Sequence, residues 1–121
     1  MGKPVVFFDI GCRDNEATRS FYEKIFGWTA LGDSPHSSRM ETGADTGIDG
    51  AVTSLGHEPH NYVMIYVEVK DINATLEEIE ENGGETLVPA TQIPEGGEFA
   101  WFRDPEGNMI GLLQGYSEDE D

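Results

Sequence analysis

The residues best suited to chemistry begin with one carboxylate. Asp9 stands inside the apolar run Val5-Val6-Phe7-Phe8-Asp9-Ile10. A charge flanked in this way is costly to bury unless it has a partner or a task. It reads as a general base, as an anchor for a cationic or hydroxyl-bearing ligand, as one half of an ion pair with Arg39 or Arg103, or as a group exposed at a sheet edge. Tyr66 and Trp101 have faces that stack on a planar ligand and that equally suit packing. Cys12, beside Arg13, reads as a strand-end thiol, and no Ser-His-Asp or Cys-His set can be assembled. His57-Glu58-Pro59-His60 gathers two imidazoles and a carboxylate, but its proline denies it the helix on which H-E-x-x-H zinc binding depends. That segment and His36 therefore read as loop, and Gly47-Ile48-Asp49-Gly50 and Gly96-Gly97 read as turns, not as phosphate cradles.

These side chains need a scaffold, and the chain repeats one. Its 121 residues suit a single domain. An offset of 57 carries Val5–Ile10 onto Tyr62–Val67 and Asp14-Asn15-Glu16-Ala17-Thr18 onto Asp71-Ile72-Asn73-Ala74-Thr75. The spacing predicts a helix from about Asn15 to Phe26, capped by Asp14, stopped by Gly27, with Ala17, Phe21, Ile25, Tyr22 and Phe26 as its core stripe. A second helix is predicted from about Ile72 to Asn82, capped by Asp71 and stopped by Gly83-Gly84. There Ile72, Leu76 and Ile79 face the core while Glu77, Glu78, Glu80 and Glu81 face water. Short strands are expected at Trp28–Leu31, Ser38–Thr42, Gly50–Leu55, Glu85–Val88, Glu98–Phe102 and Met109–Leu113. The result is α+β, with two tandem βαβββ modules at about 4–56 and 61–114 and an acidic tail at 117–121. Their curved mixed sheets enclose a cleft, with the helices on the outer side.

Three segments resemble the vicinal oxygen chelate superfamily of glyoxalases, bleomycin-resistance proteins and extradiol dioxygenases. They are Asp14 through Phe21-Tyr22 to Phe26-Gly27-Trp28, then Tyr66-Val67-Glu68-Val69-Lys70-Asp71, and finally Asp104-Pro105-Glu106-Gly107-Asn108-Met109-Ile110-Gly111-Leu112. The likeness spans about residues 4 to 114. The Asp104–Asn108 segment has its own reading as a hairpin turn, with Gly107-Asn108 at positive φ. Metalloenzymes of that family hold a divalent ion through His, Gln or Glu side chains. The resemblance places Phe7, Met64 and Gly111 at three of those positions, with Asp49 the nearest carboxylate to the fourth. Phenyl, thioether and hydrogen do not ligate such an ion, so no metal or other cofactor is expected. If Phe7 and Met64 point into the cleft, strand alternation sends Asp9, Gly11, Tyr66 and Glu68 there too, with Met109, Gly111 and Leu113 from the last strand. The expected site is thus Asp9 as the catalytic group, with Phe7, Met64, Tyr66, Glu68, Trp101, Met109 and Gly111 binding the ligand.

Composition limits the partners. Seven Lys+Arg against 24 Asp+Glu leave a net charge of −17, which repels phosphate backbones and anionic membranes. The acidity reads either as a trap for a cationic ligand or, with only three lysines beside 15 glutamates and nine aspartates, preferably as a surface suited to concentrated salt. One cysteine forbids an internal disulfide. No run approaches a membrane span, the N-terminus lacks a signal-peptide layout, and Val6 stands where a myristoylation motif wants Ser or Thr. A cytoplasmic homodimer is expected, binding a small organic molecule, with or without transforming it, in the absence of the customary metal. The alternatives are a metal-dependent lyase or dioxygenase and a non-enzymatic sequestering protein.

Overall fold

A computed structural model describes residues 2–32, 34–56, 59–94 and 96–115. Among them the expected order appears twice: β1 (Val5–Gly11), α1 (Asn15–Phe26), β2 (Thr29–Leu31), β3 (Ser37–Glu41) and β4 (Asp49–Thr53), then β5 (Tyr62–Glu68), α2 (Ile72–Glu81), β6 (Glu85–Gln92), β7 (Glu98–Arg103) and β8 (Met109–Gln114). The chain divides into two compact units. One is Val6–Met64, and the other gathers the described residues before Val6 and after Met64. The acidic tail expected at 117–121 lies outside the described residues, as do His57 and Glu58.

In the first unit β1 runs parallel to β4, with Asp9 opposite Ala51 and Gly11 opposite Thr53, while β3 is antiparallel to both β4 and β2. The second unit repeats this plan: β5 is parallel to β8, and β7 is antiparallel to both β8 and β6. Asp14 and Asp71 cap their helices as expected, each accepting at 3.0 Å from the amide three residues on. Gly27 ends α1 at φ 73°, a left-handed geometry that glycine takes without steric cost.

The expected apolar stripe of α1 does not face the sheet, except at Tyr22. Phe21, Ile25 and Phe26 are 56%, 54% and 59% exposed, and Ala17 is exposed as well. The inward face runs through Asn15, Arg19 and Tyr22, which share the same helical spacing. Asn15 Nδ2 donates to Val52 O at 2.8 Å and its Oδ1 accepts from the buried Ser38 hydroxyl at 2.9 Å, while Arg19 donates to Ser38 Oγ at 3.3 Å. Unsatisfied buried Asn15 and Ser38 would cost more than an exposed phenyl ring, so this polar lock sets the rotation of the helix. Tyr22 then joins Ile10, Trp28 and Ala30 against the core of Cys12, Met40 and Val52, stacking on Trp28 at 5.3 Å.

In the second unit periodicity and packing agree. Ile72 and Leu76 are buried with Val69, Ala100 and Leu112, and Ile79 packs at their edge, while the four glutamates of α2 are exposed. β6 runs past its expected end at Val88 to Gln92, with register shifts on either side of Val88. Pro89 is tolerated because β6 is an outermost strand of its unit, where a missing N–H breaks no ladder. The Asp104–Asn108 turn is held by Asp104, whose carboxylate accepts from the amides of Glu106 and Asn108 and from Asn108 Nδ2, all at 2.9 Å. The Asn108 side chain, its amide, and more weakly the amides of Glu106 and Gly107 hold the Asp104 carboxyl below its usual range. Only Gly107 takes positive φ, at 95°; Asn108 keeps negative φ and contributes through its side chain.

Candidate functional site

Both helix-side cores draw on alternate strand residues, Ile10 and Val52 in one unit and Val67 and Leu112 in the other. The intervening residues therefore occupy the opposite, helix-free face of each sheet. Phe7, Asp9 and Gly11 on β1 and Thr53 on β4 share that face in the first unit. Tyr66 and Glu68 on β5, Trp101 on β7 and Met109 and Gly111 on β8 share it in the second.

Asp9 is 6% exposed, which removes the sheet-edge reading. Its Oδ1 accepts from the Thr53 hydroxyl at 2.7 Å, a bond that spans the β1–β4 ladder. The Tyr62 phenol lies against the same carboxylate. Burial first, then the charge and hydrogen bonding of Asp9 and the nearby Cys12, hold that phenol well above its ordinary pKa, while Thr53 pulls the other way. Thr53 and Tyr62 were not among the expected site residues. A signal for Tyr62 existed in Gly11: an isolated strand glycine marks a close approach, and a Cβ there would overlap the Tyr62 ring. Phe7 is half-buried beside this cluster in sequence.

The second unit brings three expected residues into one row, since the register places Gly111 opposite both Tyr66 and Trp101. The Tyr66 ring covers Gly111 so closely that a Cβ there would overlap it, and Trp101 Nε1 donates to the Tyr66 hydroxyl at 2.8 Å. Tyr66 and Trp101 are each 6% exposed, so the pair is packed in and not laid open. Met64 is 1% exposed, and Met109 and Glu68 are half-buried. Glu68, at the end of β5 on that face, also lines a cavity with Lys3 and Lys70.

Among the described residues no three His, Cys, Asp or Glu side chains are grouped to hold a metal ion. Asp49, the nearest carboxylate to the fourth family position, is engaged elsewhere: its Oδ1 accepts from the Thr42 amide at 3.0 Å. No described helix is long and apolar enough to cross a membrane.

The chain is similar to several known proteins. A "Glyoxylase-like domain-containing protein" of Didymella fabae is 32% identical over 109 residues, covering 83% of this chain and 84% of that protein. The "Putative glyoxylase CFP32" of Mycobacterium tuberculosis is 26% identical over 114 residues; the match takes in 88% of this chain but only 43% of that longer protein. Among solved structures, a hypothetical protein of Bacillus halodurans superposes with a TM-score of 0.75 at 16% identity, over 100% of both chains. A family model described as Glyoxalase/Bleomycin resistance protein/Dioxygenase superfamily matches residues 5–112, and the chain belongs to that superfamily.

Proposed function

We propose that the chain binds a small organic molecule against the sheet face carrying Asp9, and does so without a divalent metal. One observation carries this reading: a carboxylate only 6% exposed, held by the Thr53 hydroxyl on the helix-free face. Thr53 fixes the orientation of the carboxylate, and burial keeps the adjacent Tyr62 phenol protonated as a donor. The phenol is turned to the carboxylate, so a ligand hydroxyl or amine takes its place on Asp9 and leaves the phenol to donate to an adjacent carbonyl. In a catalytic version of this reading Asp9 takes a proton from the bound molecule and Tyr62 donates to the oxygen on which charge develops. The glyoxylase names of the relatives support small-molecule chemistry.

The metal-free part rests on donor chemistry. Phe7 and Met64 supply no ligand for a hard or borderline ion. The space above Gly111 is taken by the Tyr66 ring, and Asp49 is occupied by the Thr42 amide. Elemental analysis of untagged protein tests this, and a stoichiometric divalent metal overturns it. A thermal-shift screen of small oxygen-bearing organic molecules tests the binding. Asp9→Asn is expected to abolish the shift given by any hit, and retention of the shift removes Asp9 from the site. Recovery of the hit unchanged after prolonged incubation assigns sequestration, whereas an altered product assigns catalysis.

A further inference from the structure

Two cavities open at equivalent places in the two copies of the repeat. The first, about 330 Å³, lies past the C-terminal ends of β1 and β4 and is lined by Cys12, Arg13, Ser54, Leu55 and His60, together with His36 just before β3. The second, about 600 Å³, lies past β5 and β8 and is lined by Val69, Lys70, Gln114, Gly115 and Lys3. The offset of 57 that relates the modules carries Cys12 to Val69, Arg13 to Lys70 and Lys3 to His60. The registers pair Gly11 with Thr53 and Glu68 with Leu113, so Ser54 and Leu55 correspond to Gln114 and Gly115. The crevice beyond the carboxyl ends of parallel strands is where open sheets most readily admit ligands.

The charge of these cavities runs against that of the chain. With seven Lys+Arg and three His against 24 Asp+Glu, half of all the basic side chains line these two small spaces. The second cavity also holds a carboxylate, Glu68, beside its lysines. The counterpart of Glu68 in the first module is Gly11, where the Tyr62 ring leaves no room for a side chain. Among the described residues, the first cavity is therefore lined by Arg13, His36 and His60 and by no carboxylate.

We propose that the first cavity, which adjoins the Asp9–Tyr62 cluster at Cys12 and His60, is a binding site for a small anion with a carboxylate or phosphate head, a reading that does not rest on the function proposed for Asp9. The Arg13 guanidinium matches either head group in a two-point contact. The Ser54 hydroxyl and the His36 imidazole add donors, and Leu55 covers a short apolar body. A volume of about 330 Å³ suits a molecule of a few carbon atoms.

The test is an amide-resolved NMR titration of the full chain with butyrate and, separately, with inorganic phosphate, at ionic strength fixed by potassium chloride. Saturable shifts at Arg13 and at Ser54 through Gly56, with the Trp101 indole signal unmoved, are expected with at least one probe. Butyrate alone assigns a carboxylate head and phosphate alone a phosphate head. Arg13→Gln, an exposed position, is expected to weaken binding at least tenfold, and His36→Gln at least threefold. No saturable shift with either probe, or wild-type affinity in Arg13→Gln, overturns the proposal.

Discussion

Trp101 donates from Nε1 to the hydroxyl of Tyr66 at 2.8 Å, reaching across Gly111, over which the Tyr66 ring lies. Sheet register makes this contact possible, since both residues stand opposite the same glycine. Tyr66→Phe strands the buried indole N–H and is expected to cost about 1–3 kcal/mol in urea unfolding. Gly111→Ala forces a methyl into the ring and is expected to cost about 1–3 kcal/mol. Combining Gly111→Ala with Tyr66→Ala should add little to the cost of Tyr66→Ala alone; full additivity would show that the ring does not set the limit at Gly111.

Thr53 and Asp9 form the corresponding pair in the other unit. Thr53→Val keeps the shape and removes a donor from a buried carboxylate, so a loss of about 1–3 kcal/mol is expected near neutral pH. Urea midpoints of both proteins at neutral pH check this, and an unchanged midpoint would show that the hydroxyl does not hold the carboxylate.

The raised pKa of Tyr62 makes an alkaline prediction. A group whose proton is bound more tightly in the folded state contributes stability that is present below its unfolded pKa, about 10 for tyrosine. That contribution is lost as pH climbs from there toward the folded value. Stability should therefore fall above about pH 10, and Tyr62→Phe should flatten the fall. Tyrosinate absorbance should contain a late-titrating component that Tyr62→Phe removes.

The orientation of α1 separates it from α2. Phe21→Ser and Ile25→Ser change exposed side chains and should alter stability by no more than about 0.5 kcal/mol. Leu76→Ala, in the buried core of α2, should cost about 2–5 kcal/mol. Asn15→Leu, which has a helix-compatible shape but breaks the bonds to Val52 and Ser38, should cost more than either α1 change.

The net charge of −17 implies self-repulsion that salt relieves. The urea midpoint should rise from dilute buffer to molar potassium chloride. An unchanged or lower midpoint would dismiss a surface adapted to salt.

Much of this protein was legible in its residues alone. Asp14 and Asp71, the glycine stops and the 57-residue repeat located both helices to within a residue or so, because caps and breakers act through local backbone geometry. The alternation around Asp9 named a carboxylate that the fold does bury. Three outcomes depended on long-range partners, which one-dimensional periodicity does not encode. The rotation of α1 follows from Asn15 meeting Val52 and Ser38, 37 and 23 residues away. The neighbours of Asp9 come from β4 and the start of β5. The bareness of Gly111 acquires its meaning only when a tyrosine 45 positions earlier lies across it. Residue type and spacing settle what a segment can form, but only tertiary packing decides which face turns inward, since unsatisfied buried polar groups outweigh an exposed apolar stripe.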